Sequence, residues 1–396
     1  MSDILKISAV FIIILILLRK KLNIGYVMLI ASGALGLLYL MSPLSISSTI
    51  KAAFTDKVTI KLALALTLIR VFELILREKD VLSEMMNASR TLLLKKKAVI
   101  VSMPLLIGLL PSVGGAYFSA PMVDESTKGI KMSQEEKAFI NYWFRHPWEY
   151  ILPLYPGILL ASAVSNMELR NLIIANTSYA LFIVITGFIF SMRDAAGGFP
   201  RAEGISKKGL LSFIPIVTVL LLVVVLHIEL HYALLIVVPA LFIFYRFKIK
   251  DIIRASKHGF SIDVIALIIG IMIFKQTMET SGAVKNLSEF LTLKGIPVAP
   301  LLFLLPFVSG MLTGLTVGFV GSTFPLILSF AGEPSIGVIT FAFASGFIGV
   351  LLSPVHICLV LTREYFKADM WGVYKRIIPA GAIVFCVAVV EYLILR

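Results

Sequence analysis

Cysteine is scarce in this chain of 396 residues, which has only two, Cys358 and Cys386. They stand in separate apolar segments and show neither the spacing of a disulfide framework nor that of a metal site. The phosphate-binding pattern G-x-x-x-x-G-K-[ST] is absent, which argues against an ATP-driven pump within the chain. We therefore predict no cofactor, and we expect both cysteines to be small buried apolar residues.

Charge is also sparse, because 15% of the residues are charged whereas 59% are hydrophobic and the mean hydropathy is +0.97. This balance excludes a soluble protein and predicts an all-α polytopic membrane protein. The net charge of +13 does not indicate nucleic acid, because the predicted inner loops hold 26 of the 36 Lys and Arg residues. Cytoplasmic loops carry such an excess. We expect a multi-pass protein of a prokaryotic inner membrane, with both termini outside.

A first broken apolar stretch covers residues 98–124. Its first arm, Ala98 to Leu110, has 13 residues, which reach about 20 Å as a helix and fall short of the roughly 30 Å hydrocarbon layer. The run Pro111-Ser112-Val113-Gly114-Gly115 interrupts the helix before a second short arm. The pattern predicts a hairpin that enters the membrane and returns on the same side, with its tip as a binding site.

A second stretch, residues 300–330, repeats this pattern. Pro104 and Gly108 correspond to Pro306 and Gly310, each 202 residues later. Two broken apolar segments at corresponding places indicate the substrate site of a transporter built from repeats. Two kinked membrane helices are the alternative interpretation.

The rest of the chain fits the same division into two halves. We predict a first repeat over 1–195, a cytoplasmic linker over 196–208 and a second repeat over 209–396. Each repeat has five transmembrane helices, one re-entrant hairpin and one broken helix, which gives about ten full spans. Because five is odd, the second repeat is inverted relative to the first.

The hairpin tips supply hydroxyl groups and glycine backbone that a substrate or ion can approach closely. The first tip offers Ser112, Gly114, Gly115 and Ser119, and the second offers Thr313, Gly314, Thr316, Gly318, Ser322 and Thr323. Hydrogen bonding of each hydroxyl to its own helix is the alternative interpretation.

The broken helices carry the ionisable residues. The first break is predicted near 145–149, where Arg145 and His146 precede Pro147, and the second near 353–356. Ionisable side chains inside apolar segments usually mark a transport pathway. Alignment on the two prolines places Glu149 and His356 at equivalent positions, so we predict that they carry a proton and that Arg145 and His146 bind substrate. Alternatively, Arg145 and His146 lie at the water boundary.

Two segments, PSVGGAYFSAPMV and NYWFRHPWEYILPLYPG, resemble an uncharacterised prokaryotic integral-membrane family, domain of unknown function 401. The resemblance covers nearly the whole chain and implies the ion transporter superfamily, which includes gluconate, citrate and dicarboxylate carriers. It implies two inverted repeats and carriage of an anion with Na⁺ or H⁺. Neither tip has the Ser-Asn-Thr sequence of the dicarboxylate carriers.

The predicted function is secondary active transport of a small carboxylate-type anion, coupled to H⁺ or Na⁺ by alternating access. Expected partners are the anion, the coupling ion and membrane lipid, and the sequence leaves room for bound Na⁺ and for a homodimer. A Na⁺-coupled amino-acid carrier and an anion channel are alternatives. A third is an intramembrane metal-dependent enzyme that uses His146, Glu149 and His356, although we expect no enzyme.

Overall fold

A computed structural model describes residues 3–93, 95–111, 115–192, 207–330 and 335–395. Within these ranges the chain is helical and contains no strand. Several helices begin at polar N-cap residues whose side chains accept a backbone N–H: Asn23, Ser42, Asp56, Ser133 and Ser335. Such caps satisfy donors that the first helical turn leaves without a partner.

The helices before the predicted linker are numbered in chain order. They are α1 (Asp3–Arg19), α2 (Ile24–Leu38), α3 (Pro43–Thr55), α4 (Lys57–Glu78), α5 (Val81–Leu92), α6 (Lys96–Gly108), α7 (Gly115–Ser126), α8 (Gln134–Trp143), α9 (Trp148–Ile151), α10 (Pro156–Ser165), α11 (Leu169–Ala175) and α12 (Thr177–Phe190).

The helices that follow continue this numbering. They are α13 (Lys207–Leu211), α14 (Ile214–Leu220) with a π-helical continuation (Leu221–Val225), α15 (Leu230–Phe244), α16 (Ile249–Gly259), α17 (Ile262–Thr280), α18 (Ala283–Leu293), α19 (Val298–Thr313), α20 (Thr316–Phe330), α21 (Ile336–Leu352), α22 (Ile357–Phe366) and α23 (Met370–Leu395). Most of the predicted linker lies outside the described residues.

Four helical stretches among the described residues are long and apolar enough to cross a membrane: Leu169–Phe190, Ile249–Thr280, Ile336–Phe366 and Met370–Leu395. Others, including α2, α15, α19 and α20, are apolar but shorter. Large apolar side chains are exposed on outer helices, as at Ile12 of α1 and Ile243 of α15. Exposed apolar surface of this kind is found where a protein contacts lipid or a partner. The fold is compatible with a membrane protein.

Both predicted hairpins are pairs of short helices. The first consists of α6 and α7, which contact each other, and its tip at 112–114 lies outside the described residues. The second consists of α19 and α20, joined by Gly314 and Leu315. Gly314 ends α19 with a φ of +63°, a left-handed conformation that glycine adopts without steric cost. The two arms therefore turn within two residues.

Helices from before and after the predicted linker pack against each other. Helix α2 packs on α17 while α15 packs on α4, and α7 packs on α22 while α20 packs on α10. The contact of α2 with α17 is close because Gly25 and Gly270 bring the two backbones together without side chains between them. The two halves are therefore interleaved through helices from both.

Helices α5 and α18 were not predicted from the sequence, where the segment from Arg77 to Lys97 was interpreted only as a basic segment. Buried Val81, Met85 and Ala88 recur along α5 at the spacing of one helix face, which is a pattern of an amphipathic helix. Both helices precede a hairpin, so they occupy equivalent places in the two halves.

Candidate functional site

The first helix break separates α8 from α10. Helix α8 ends at Trp143, and the N–H groups of Arg145 and His146 donate to the carbonyls of Tyr142 and Trp143 in a tightened turn. Pro147 follows at the N-cap of the four-residue α9. The N–H that proline lacks is not needed for a helix hydrogen bond at this position. A second turn leads to Pro156, which begins α10. The break thus extends beyond the predicted 145–149.

The second break separates α21 from α22 and occupies residues 353–356. Ser353 is extended, with a φ of −71° and a ψ of 124°, as expected for a residue that precedes a proline. The N–H of His356 donates to the carbonyl of Ser353 at 3.2 Å, and His356 is the N-cap of α22. Pro354 therefore explains the end of α21 locally.

The two breaks meet at a pair of histidines. Nε2 of His146 lies 3.1 Å from Nε2 of His356. The two residues are 1% and 5% exposed, so the contact is sealed from solvent. The ring of Tyr142 lies edge-on to both imidazoles, with centroid distances of 4.5 Å and 5.6 Å.

Each first hairpin arm ends against the break of its own half. Nδ1 of His356 lies 2.6 Å from the carbonyl oxygen of Gly314, and the hydroxyl of Ser353 donates to the carbonyl of Met311 at 2.7 Å. In the first half, the indole of Trp148 donates to Leu105 at 2.7 Å, and the hydroxyl of Tyr155 donates to Gly108 at 2.6 Å. Each hairpin is therefore joined to its neighbouring break by carbonyl groups near its tip.

Cys358 is the third member of the buried cluster and was missed as a functional residue. One ligand atom each from Cys358, His146 and His356 lies within 4.8 Å of the others. Cys358 is buried, as predicted, whereas Cys386 is exposed, so the prediction of burial was wrong for Cys386. The sequence signal that could have identified it is the pair His356-x-Cys358 directly after Pro354.

Charged residues from the first break surround the cluster. Oε1 of Glu149 lies 3.8 Å from Nε2 of His146. Arg145 is 4% exposed and interacts electrostatically with Glu149 and Cys358. His146 is therefore the residue that contacts His356, and Glu149 lies beside His146. Arg145 lies in the protein interior and not at a water boundary. The predicted substrate-binding and proton-carrying roles of these residues stay predictions.

Two further residues missed from the sequence connect the halves. The hydroxyl of Tyr142 donates to the carbonyl of Leu351 at 3.0 Å. The amide of Asn141 donates to the carbonyl of Ala116 at 3.0 Å and to the hydroxyl of Thr362 at 2.9 Å. No short motif marks either residue, because their partners lie 209 and 221 positions away in the second half or in α7 of the first hairpin.

The hydroxyls predicted at the hairpin tips bond mainly to their own helices. Backbone carbonyls of the same helix accept hydrogen bonds from Ser119, Thr313, Ser322 and Thr323. Ser322 also contacts the hydroxyl of Ser309 at 2.6 Å, which links the two arms of the second hairpin. These bonds occupy the hydroxyl protons, so the groups offer a ligand lone pairs only.

The remaining predicted tip residues fall into two groups. Gly115 begins α7 and Gly318 is buried in the first turn of α20, while Thr316 packs against Gly157 of α10, where an added Cβ would lie 2.6 Å from Thr316 Cβ. Ser112 and Gly114 lie outside the described residues. The second tip therefore contacts α10 on one side and His356 on the other.

A cavity of about 450 Å³ lies along α10, between that helix, α4 and the segment that begins α15. Its charged and imidazole lining consists of Lys61, Glu168, Arg170, His227, Glu229 and His231. Lys61 and Glu229 form an ion pair at 2.8 Å. All six residues belong to segments at the predicted outer face, and the volume is within the range of small-molecule sites.

Residues 2–395 match the family described as protein of unknown function DUF401. The match covers nearly the whole chain, so the protein belongs to this family. No curated protein matches the sequence.

Proposed function

We propose that this member of the DUF401 family is a secondary transporter of a small organic anion, coupled to H⁺ or Na⁺ and acting by alternating access in a cell membrane. The observation that carries the proposal is the convergence of both helix breaks on one buried polar cluster, with a hairpin end against each break. Interrupted helices that meet near the membrane midplane are typical of substrate sites in secondary transporters. The same plan motivates the placement in the ion transporter superfamily.

The helix lengths support re-entrant hairpins. Helices α6 and α7 have 13 and 12 residues, and α19 and α20 have 16 and 15. At about 1.5 Å per residue these arms reach roughly 18–24 Å, which is less than a hydrocarbon layer of about 30 Å. One arm of this length ends inside the hydrocarbon layer, and the second arm of the hairpin returns to the side of entry.

The exchange of partners between halves supports two inverted repeats over 1–195 and 209–396. If α2 corresponds to α15 and α4 to α17, the contacts of α2 with α17 and of α4 with α15 become equivalent. The contacts of α7 with α22 and of α10 with α20 become equivalent in the same way. Such equivalence gives alternating access two similar gates.

The outer cavity and Arg145 support an anionic cargo of modest size. The cavity carries Lys61 and Arg170, and it follows α10 toward the second hairpin tip at Thr316. Arg145 adds a buried guanidinium at the first break. A buried cation in apolar surroundings is stabilised when an anion binds beside it.

The test is uptake into proteoliposomes after a thermal-shift screen of carboxylates, oxyanions and amino acids, with and without Na⁺ at two pH values. A ligand of the folded state raises the apparent melting temperature. We expect a carboxylate to be taken up under an imposed H⁺ or Na⁺ gradient and not after an ionophore removes it. Arg145→Gln should lower this uptake at least about tenfold, since a charge-assisted contact contributes about 1.5–3 kcal/mol.

Arg254→Gln is the matched control, because Arg254 is exposed on α16 and pairs with Glu78. It should leave uptake unchanged. Steady current through bilayers without dependence on any gradient would identify an anion channel and contradict the proposal. Equal uptake by the two arginine variants would remove Arg145 from the site.

A further inference from the structure

The hydrogen bonds of the two central histidines fix where their protons lie. Nδ1 of His146 is 2.6 Å from the carbonyl oxygen of Tyr142, and Nδ1 of His356 is 2.6 Å from that of Gly314. A carbonyl oxygen only accepts hydrogen bonds, so each Nδ1 carries a hydrogen. In the neutral rings each Nε2 then presents a lone pair.

These two lone pairs face each other across 3.1 Å. Two acceptors at this separation repel unless a positive centre lies between them. For metal–nitrogen bonds of about 2.0–2.1 Å, a nitrogen separation of 3.1 Å corresponds to an angle of about 100° at the metal. This angle is close to tetrahedral, so the pair has the spacing of two ligands of one ion.

A third donor distinguishes a metal from a shared proton. Sγ of Cys358 is such a donor, because the three ligand atoms lie within 4.8 Å of one another. Two imidazoles and a thiolate are borderline to soft ligands, which favour Zn²⁺ over Mg²⁺ or Ca²⁺. A proton needs two of these groups, whereas a tetrahedral ion uses all three.

The surroundings of the three residues match those of metal ligands. Ligating histidines usually donate their other N–H to a carbonyl or carboxylate, which orients the ring, and both rings here contact carbonyls in this way. The ligands are 1%, 5% and 7% exposed. Oε1 of Glu149, 3.8 Å from His146 Nε2, is within a small side-chain movement of the fourth position.

We propose that His146, His356 and Cys358 form a transition-metal site and that the ion it takes is Zn²⁺. The site draws His146 from the first helix break, His356 from the second break and Cys358 from the first turn of α22, so the ion would tie the end of α8 to α22. The inference concerns binding alone and does not depend on the transport proposal, because either one stands if the other fails.

The first experiment uses purified full-length protein with its affinity tag removed and its metals stripped by a chelator. Equilibrium dialysis against Zn²⁺ followed by elemental analysis should give one ion per chain. Cys386→Ser leaves Cys358 as the only cysteine of the chain and should bind equally well, because Cys386 is exposed. In that variant Co²⁺ should produce a sulfur-to-cobalt charge-transfer band that can come only from Cys358.

The second experiment compares ligand variants. Cys358→Ser should abolish the charge-transfer band and weaken Zn²⁺ binding by at least about tenfold. Loss of a group that only orients a ligand already weakens metal binding by this factor, and loss of the ligand itself should weaken it at least as much. His146→Ala should have a similar effect on affinity. His231→Ala is the control, because His231 is buried beside Glu229 and outside this cluster.

The outcomes decide the inference even if a ligand variant fails to fold, because the Cys386→Ser protein reports on Cys358 in the intact site. A stoichiometric ion with the sulfur band supports it. Wild-type protein that retains no Zn²⁺, or Co²⁺ bound without the band, overturns it. In that case a proton shared by the two imidazoles is what holds them together.

Discussion

The two helix breaks place an imidazole at the same point of the molecule by different routes. The first break is long and includes the short α9 between two turns, and its histidine comes directly before Pro147. The second is a single turn of four residues, and its histidine comes two residues after Pro354. The two histidines that meet are thus not the residues that an alignment on the prolines pairs, since one precedes its proline and the other follows it.

The hairpins that contact the two breaks also differ from each other, at the glycine that ends each first arm. The first arm ends at Gly108, whose Cα lies against the carbonyl of Arg145 and the ring of Trp148. The second ends at Gly314, which lies against the backbone of His356 and has a positive φ. Both contacts need a residue without a side chain, but only the second also needs left-handed backbone.

The largest expected effect tests that difference. Gly314→Ala adds a Cβ at 2.9 Å from His356 Cα and puts a side chain at a φ of +63°, so we expect a loss of about 3 kcal/mol or more. Gly108→Ala meets backbone without the strain and should lose about 1–3 kcal/mol. The measurement is the apparent melting temperature in one detergent.

Gly33→Ala is the control for this pair, because nothing lies within 4 Å of the added Cβ. Helix propensity predicts no loss of stability there. A loss for Gly314→Ala no larger than that for Gly33→Ala would show that neither the close contact with His356 nor the positive φ has an energetic role, and the comparison of the two tips would fail.

A smaller effect is expected at two tyrosines that donate to the end of α21. Tyr142, fully buried on α8, donates to Leu351 at 3.0 Å, and half-buried Tyr374 on α23 donates to Leu352 at 3.0 Å. Tyr142→Phe should lower the free energy of unfolding by about 1–3 kcal/mol, since it leaves a buried carbonyl without this donor. Tyr374→Phe should cost about 0.5–1.5 kcal/mol, the range of an ordinary hydrogen bond, because Tyr374 is only partly buried. The reverse order in matched thermal unfolding would place the more important contact between α21 and α23.

The smallest effect concerns the start of α8, outside the membrane segments. Backbone N–H groups there and at Asp369 hold the pKa of Glu135 below its usual range. A depressed pKa gives stability that is present above about pH 4.3 and lost as the pH falls through the folded value. Because Glu135 is only partly buried, the contribution should be below about 1 kcal/mol.

Glu135→Gln should therefore lower the stability at pH 7 by less than about 1 kcal/mol, and the difference from the wild type should disappear as the pH falls below about 4. Glu289→Gln is a suitable control, because Glu289 is exposed on α18 and its ion pair with Lys285 is also exposed. Equal stability of the wild type and Glu135→Gln at pH 7 would show that the contact of Glu135 with Asp369 does not stabilise the protein.

Local signals in the sequence predicted the parts of the site that proline and glycine control. Pro354 indicates the second break, since the residue before a proline avoids the helical region. The short apolar arms on either side of Gly314 indicate a hairpin because their lengths can be read by counting. Helices α5 and α18 were missed although their apolar spacing was present, because their charges favoured an interpretation as loops.

The grouping of His146 with Cys358 could not be predicted in this way. A register based on the two prolines pairs Glu149 with His356, and it is correct only if both breaks bend alike. In the structure His146, which precedes Pro147, and not Glu149, which follows it, contacts Nε2 of His356.

The sequence by itself determined the helical class, the apolar character and the places where helices stop, because these depend on composition, on run length and on residues with restricted backbone conformations. Only the tertiary structure decided which side chains from the two breaks share a centre. Partners some 210 positions apart are brought together by packing of whole helices, and no local pattern in the chain encodes the angle at which two bent helices meet.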